Sequence, residues 1–369
     1  MTRLRTPRFW YRPRPGLRAR LLQPAGWLYG RAVAWHRAST RPERLPLPVV
    51  SIGNITLGGT GKTPLVIALA RELVGRGWRP AVISRGYGSG RREPLRVVPG
   101  HGVAAVGDEP LEMAAALADH GLAVWVGSER VAAGRRALEA GADLLLLDDG
   151  LQHWRLARDC DVTVLDARQR LGNGLTFPAG PLREPAAALA RAQLLVLSGN
   201  AASTATATST VTATANDPAG LPWPAGRPWL TLPARLELPP ALLAQPLLAF
   251  CGIGLPAKFF DALRQEGCRL VACEEFPDHH PYARGDVERL LALAQAKENA
   301  TLVTTVKDWQ RLTPLLGDLT AQRIRAVPLR LERQAVARLA DLVLAVLAER
   351  GWVRPPEGRP HPPEGRPHG

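Results

Sequence analysis

Eight consecutive residues, Thr56, Leu57, Gly58, Gly59, Thr60, Gly61, Lys62 and Thr63, spell T-L-G-G-T-G-K-T. An apolar run, Leu47-Pro48-Val49-Val50-Ser51-Ile52, precedes them, and a helical pattern begins at Pro64. A buried strand, a glycine-rich turn closing on Gly-Lys-Thr and a helix are what a phosphate-binding P-loop requires. Glycines let the backbone wrap around phosphate oxygens with its N–H groups inward, and the helix N-terminus adds positive potential. Lys62 is placed to reach the β- and γ-phosphates, and the Thr63 hydroxyl to ligate Mg²⁺. The usual first glycine of G-x-x-x-x-G-K-[ST] is Thr56 here. The strand and helix on either side argue against a flexible loop whose lysine is only solvated.

A second constellation is Leu144-Leu145-Leu146-Leu147-Asp148-Asp149, an apolar strand ending in two carboxylates. In an open α/β sheet such carboxylates lie in the ligand crevice and can hold Mg²⁺ directly or through water. Aspartate also follows strands as a cap or turn residue, so it is the upstream P-loop that gives Asp148 and Asp149 a metal-binding reading. Gln152 and His153 come next and can orient a phosphate or a water; a hydrogen-bonded turn histidine is the alternative. Gly107-Asp108-Glu109-Pro110 opens a helix. Spacing alone favours Asp108 as its cap and Glu109 as a first-turn acid, with general base and metal contact as the functional alternative. Phe276-Pro277-Asp278-His279-His280-Pro281-Tyr282 sets a carboxylate beside histidines, which can poise a base near neutral pH. Adjacent histidines point apart, which argues against a two-histidine metal site. Arg85, in S-R-G-Y-G, and Arg183, in A-G-P-L-R-E, lie amid turn residues, where a guanidinium clamps phosphate or is simply exposed.

These groups need a scaffold. Strands are expected at 79–84, 122–127, 143–148, 161–166 and 193–198, alternating with helices at 109–120 and 128–140. The βαβ series implies an α/β fold with a P-loop NTPase-like parallel sheet and helices on both faces. A second, smaller α/β domain follows, with strands at 247–251, 269–273, 301–305 and 324–329 and helices at 256–266 and 284–298. The expected division is a membrane-associating N-terminal segment over 1–36, the P-loop domain over 37–199 and a low-complexity insertion or linker over 200–217. The second domain then covers 218–330, a C-terminal helix 331–352, and a proline-rich tail, expected to be disordered, 353–369. In the first segment Trp10, Tyr11, Trp27, Tyr29 and Trp35 are interleaved with arginines, the composition of an interfacial anchor or of a helix packed on the domain. Pro13, Pro15 and Pro24 predict short helical pieces there.

With 369 residues the chain is long enough for two domains. Its net charge of +14 suggests an acidic partner: nucleic acid, anionic lipid or a phosphorylated substrate. Arginine-rich coding explains much of the arginine but not the sign. The arginines gather with N-terminal aromatics and form no recognised nucleic-acid module, so no nucleic-acid partner is expected. Four cysteines show no C-x-x-C pair and no zinc-ligand spacing, which fits reduced thiols in a cytosolic setting. No secretory h-region and no run of 18 apolar residues is present.

The ordered set G-N-x-T-x-G-G-T-G-K-T-P, S-R-G-Y-G, G-D-E-P, D-D-G-L-Q-H, G-N-G, A-G-P-L-R-E, G-I-G-x-P-x-x-F and D-H-H, spread over about Trp10 to Gly351, resembles the tetraacyldisaccharide 4′-kinases, the lipid A 4′-kinases of Gram-negative bacteria. The resemblance implies two α/β/α domains joined by a β-ribbon, with ATP between them. It implies transfer of the γ-phosphate of ATP, with Mg²⁺, to the 4′-hydroxyl of a tetraacylated glucosamine disaccharide 1-phosphate at the cytoplasmic face of the inner membrane. The family's catalytic carboxylate falls on Asp108 and its partner histidine on His279, preceded by Asp278. The metal-side acids fall on Asp149 and Glu109, with Asp148 and Gln152 nearby, and the phosphate-binding residues on Thr60, Gly61, Lys62 and Thr63. Here the resemblance overrides the reading of Asp108 as a cap. A Thr305-Val306-Lys307-Asp308 element also matches, with no role that spacing reveals. The competing class is a P-loop GTPase or metallochaperone that uses nucleotide as a switch; no Asn-Lys-x-Asp guanine-reading motif supports it.

Overall fold

The computed structural model of the chain describes residues 7–12, 14–98, 100–199, 218, 220–317 and 323–354. The low-complexity stretch 200–217 and the tail from 355 lie outside the described residues. The first part of the chain forms α1 (Leu17–Ser39), β1 (Val49–Gly53), α2 (Lys62–Gly75), β2 (Pro80–Ser84), β3 (Leu95–Arg96), α3 (Val103–Val106) and α4 (Asp108–Leu117). It continues through β4 (Val124–Val126), α5 (Arg130–Glu139), β5 (Leu144–Asp148), β6 (Cys160–Asp166), β7 (Leu194–Ser198) and β8 (Trp229–Leu232). These strands make one eight-stranded sheet in the order β3-β4-β2-β5-β1-β6-β7-β8. Only the β3–β4 pair is antiparallel.

The four leucines of β5 show why this sheet needs helices on both sides. Leu144 and Leu146 face a core with Leu65, Leu69 and Leu73 of α2 and Met113 and Leu117 of α4. Leu145 and Leu147 face another with Ala133 and Ala137 of α5. A strand covered on both faces reads as an unbroken apolar run because neither set of alternate side chains meets water. With β5 and β6 flanking β1, the carboxyl ends of the central strands open onto one crevice.

The second part forms β9 (Ala234–Leu236), α6 (Pro240–Leu243), β10 (Pro246–Cys251), α7 (Pro256–Gln265), β11 (Arg269–Glu275), α8 (Arg284–Ala296), β12 (Thr301–Thr305) and α9 (Val306–Leu312). The last elements among the described residues are β13 (Ile324–Val327), β14 (Leu329–Leu331) and α10 (Arg333–Glu349). Strands β11-β10-β12-β13 form a parallel four-stranded sheet. Leu248 and Phe250 pack on α8 on one face, and Leu247, Ala249 and Cys251 on α7 on the other. Strands β9 and β14 pair antiparallel as a ribbon between the two sheets, with Ala234 opposite Leu331.

Three features differ from the sequence expectations. The sequence pattern puts segment 218–330 wholly in the second domain, yet β8 pairs in parallel with β7 as the edge of the large sheet. The short run W-L-T-L carries no signal of which sheet it joins. Helix α10 does not stand apart either: Ala335, Leu339, Val343 and Leu347 close the large core over α2. At the N-terminus a single 23-residue helix, α1, replaces the expected short pieces and contains Pro24. Pro24 is exposed, so the carbonyl it leaves without a helical donor faces water and the break is inexpensive.

Candidate active site

The P-loop is braced from both sides. Asn54, buried after β1, donates to Thr56 Oγ1 at 3.4 Å and to Thr60 Oγ1 at 3.2 Å. Leu57 N donates to Pro181 O at 2.7 Å, and Thr56 bridges Leu182. Thr56 thus sits in paired backbone where glycine is not needed, which accounts for the departure from the usual pattern. Glycine is needed at Gly58 and Gly61, with φ of 113° and 78°. Gly61 caps α2, so Lys62 and Thr63 are its first residues and their N–H groups point into the loop.

Asp148 and Asp149, at the end of β5, face that loop. Lys62 Nζ is 3.5 Å from Asp149 Oδ1, and Arg183 Nη1 donates to Asp149 Oδ2 at 2.8 Å. Burial would raise the Asp149 carboxyl; the charges of Lys62, Arg183 and Arg130 outweigh it and bring it down to about 2. Asp148 accepts from Ser84 Oγ at 3.1 Å, and burial, then Glu109 and Asp149, push it up to about 7. Gln152 Nε2 donates to Asn54 O at 3.1 Å and Glu184 Oε1 at 2.9 Å, while its carbonyl accepts from Arg183. It ties the strand-end turn to the loop. His153 closes a turn on Gly150 O, and burial with Arg130, Arg158, Arg155 and Arg85 around it lowers its pKa to about 3. It is a neutral imidazole at neutral pH.

Among the described residues no group of three or more His, Cys, Asp or Glu forms a metal cage. Mg²⁺ in nucleotide sites needs only one or two carboxylates, with phosphates and waters completing its shell. Asp148 Oδ1 and Asp149 Oδ1 are buried oxygens that accept no hydrogen bond, the second with only the Lys62 ammonium 3.5 Å away, and they are hard donors lining the same cleft as Thr63. The donor set therefore fits Mg²⁺.

Across the crevice, α4 begins with Asp108, a buried residue in the first helical position with Gly107 as the cap. Asp108 Oδ1 accepts from Glu109 N at 3.0 Å. Asp108 Oδ2 meets three groups of the second domain: His279 Nδ1 at 3.0 Å, Arg311 Nε at 3.0 Å and Lys307 Nζ at 4.0 Å. Burial would raise this carboxyl; the His279 hydrogen bond and the Lys307 and Arg311 charges reverse that and hold it well below the usual range. Glu109 turns to Lys307 Nζ at 2.9 Å, which also lies 3.2 Å from His279 Nε2. His279 has a φ of 55°, a left-handed conformation uncommon outside glycine and held by its N–H bond to Gly252 O at 3.1 Å. Asp278 is half exposed, 3.9 Å from His279 Nε2. His280 points away to Asp286 Oδ2 at 3.1 Å, so the two rings diverge as adjacency predicts.

The structure thus gathers Lys62, Thr63, Asp148, Asp149, Glu109, His279, Asp278, Gln152, His153 and Arg183 around one cleft of about 1850 Å³. Tyr29 and Val33 of α1 line one end of it. Sequence reasoning missed Ser84, Arg130, Lys258 and Arg311. Lys258 of α7 reaches over the P-loop to Asp166 and to Gly59 O at 3.4 Å. Lys307 was signalled only by its T-x-K-D context, and Arg311 by nothing.

A P-loop with strand-end carboxylates on one domain, closed by a carboxylate–imidazole pair shared with the next, defines a P-loop phosphotransferase. The comparisons with known proteins sharpen this class. Residues 18–348 match the family described as tetraacyldisaccharide-1-P 4′-kinase, and the chain belongs to it. A tetraacyldisaccharide 4′-kinase of Methylobacterium sp. (strain 4-46) is 44% identical over 333 residues, covering 89% of this chain and 93% of the relative. The corresponding Gluconacetobacter diazotrophicus protein is 42% identical over 346 residues, covering 92% and 98%. The crystal structure of LpxK from Aquifex aeolicus in complex with ATP superposes with a TM-score of 0.66 at 26% identity, covering 89% of this chain and 99% of that one. Kinase membership leaves the nucleotide-switch alternative without support.

Proposed function

We propose that the chain transfers the γ-phosphate of ATP to the 4′-hydroxyl of a tetraacylated glucosamine disaccharide 1-phosphate. The observation that carries this reading, within the family match, is the hydrogen bond between buried Asp108 and His279, whose ring lines the same cleft as Lys62 and Asp149. Asp108, ionised at neutral pH, accepts His279 Nδ1–H, which makes Nε2 the acceptor nitrogen of the ring, 3.2 Å from Lys307 Nζ, and Lys307 must give up that contact for Nε2 to take a substrate proton. The pair takes the proton of the 4′-hydroxyl as its oxygen forms the new bond to the γ-phosphorus, and ADP leaves with the electron pair of the broken P–O bond. Lys62 and the loop N–H groups hold the β- and γ-phosphates in line, and Arg183 orients Asp149. Mg²⁺, held by Asp148, Asp149 and the Thr63 hydroxyl, supplies neutralisation of the phosphate charge when bound. Glu109 is an outer support of that group through its charge, since Lys307 already claims its carboxylate.

The lipid substrate places the reaction at a membrane surface, for which the cytoplasmic face of the inner membrane is the site consistent with ATP use. No helix among the described residues is long and apolar enough to cross a membrane. Helix α1 instead offers Leu17, Leu21, Leu28 and Trp35, all exposed on one side, while Ala19, Gly26 and Gly30 face the protein. Such a helix lies in the headgroup boundary, its arginines attracting anionic lipid. Incubating the purified chain with γ-labelled ATP and the disaccharide 1-phosphate should add one phosphate at the 4′ position. Label transfer only to water, or to a disaccharide already blocked at 4′, would rule the assignment out.

A further inference from the structure

Helix α9 opens with Thr305-Val306-Lys307-Asp308 and carries Arg311 one turn later. Asp308 is fully buried. Its two oxygens accept from Gly252 N at 3.1 Å each, Oδ1 also from Tyr282 Oη at 3.1 Å and Oδ2 from Thr305 Oγ1 at 2.7 Å. The start of α9 is thereby pinned to the end of β10. Arg311 uses the same anchor: its Nη1 donates to Asp308 Oδ1 at 3.0 Å and to Gly252 O at 3.2 Å. That carbonyl also accepts His279 N at 3.1 Å, so the arginine and the histidine loop are registered to one peptide group. The other edge of the guanidinium leaves the second domain. Nε lies 3.0 Å from Asp108 Oδ2 and Nη2 donates to the same oxygen, with the two side chains only 6% and 5% exposed.

We propose that Arg311 is a positioning residue that fixes Asp108 against His279 when the second domain is seated. The inference rests on the reading of Asp108 and His279 as the proton-accepting pair. A planar fork bonded to a carboxylate on each edge and to a carbonyl sets a carboxylate's place and tilt; a lysine ammonium supplies charge without that geometry. Stability is a poor reason for the arrangement, because a buried ion pair gains little over apolar packing. Its geometry has a better use. Asp108 belongs to the first domain and His279 to the second, and Arg311 contacts both, lying 3.3 Å from His279 Nδ1 through Nη2. Helix α9 therefore makes the orientation of the pair depend on domain closure.

The test compares Arg311→Lys and Arg311→Gln in the full chain, each alone and combined with Asp108→Asn, after thermal melts establish folding. Arg311→Lys should lower kcat about 10²-fold, the loss that a misplacement near 1 Å produces, while KM for ATP stays within about twofold. Neither substitution should slow the Asp108→Asn enzyme further, because the arginine acts through that carboxylate. Equal losses in both backgrounds, a raised KM for ATP with kcat intact, or two variants that do not fold would each overturn the inference in favour of a structural role. Normal turnover of Arg311→Lys beside a slow Asp108→Asn would sink this inference alone. Normal turnover of Asp108→Asn itself would sink the reading of the pair and this inference with it.

Discussion

Lys62 lies 3.5 Å from Asp149 and stands at the first turn of α2, directly after the Gly61 cap. Lys62→Ala should keep the fold with a modestly lower melting temperature, since Arg183 and Arg130 still offset the burial of Asp149, and should lower kcat by about 10²–10³-fold, the cost of removing one preorganised charge-stabilising donor. Steady-state turnover on a verified folded variant checks this, and a loss below tenfold contradicts the phosphate-cradle role. Asp148 makes a different prediction, in pH. Its carboxyl stands near 7 in the folded chain against an ordinary 3.8, so it favours the folded state below about 4 and that contribution is lost as pH rises through 7. Glu112, raised to about 7 by burial and then by Glu109, acts in the same direction. Asp149 has the opposite sign: its contribution is present above the ordinary value and disappears only toward about 2. Without nucleotide or cation, the melting temperature should decline between pH 4 and 7, and Asp148→Asn should flatten part of that decline. Parallel melting curves for the two proteins across the range would contradict the burial argument.

At the level of elements, α1 separates two jobs that composition alone runs together. Trp10 and Tyr11, just before it, turn inward: Trp10 donates to Pro178 O at 3.0 Å and Tyr11 to Leu57 O, on the P-loop itself, at 3.4 Å. Replacing Leu21, Leu28 and Trp35 by serine should weaken binding to anionic liposomes and slow phosphorylation of membrane-embedded substrate. Turnover of detergent-dispersed substrate should fall much less. Trp10→Ser should instead lower the melting temperature. Unchanged sedimentation of the triple variant with liposomes would make the stripe a packing surface. The sequence could not separate these aromatics, because local composition says nothing about the Thr176–Pro185 loop against which Gly26 and Gly30 lie. It also overstated Pro24, whose cost depends on exposure. The P-loop and the β5 carboxylates were legible because their chemistry is local: strand, turn and helix follow one another within a few residues. Asp108 with His279 was legible only through family resemblance, since the pair is made by two domains. Arg311 had no local signal at all, and β8 and α10 belong to the large sheet through pairings that only the three-dimensional path decides.

On the scale of the whole molecule, the second domain is an insertion in the first. The chain leaves the large sheet after β8 and returns at α10, and the two crossing points are neighbours, Ala234 opposite Leu331 in an antiparallel pair. Replacing residues 235–330 by an Asn-Gly turn, which suits an antiparallel two-residue connection, should yield a folded P-loop domain. Such a protein should melt cooperatively and retain nucleotide binding, with phosphoryl transfer lost along with His279. An aggregated or molten product would show that the large domain depends on its insert. The same path has a consequence for how the protein is made. During synthesis the apolar face of α2 emerges early, but Leu339, Val343 and Leu347, which cover it, are translated only after the whole second domain. The ribosome must add about a hundred residues between β8 and α10, roughly 5–20 s at ordinary elongation rates. For that interval the nascent large domain carries an open hydrophobic flank, and the insert completes its own parallel sheet before its host can close.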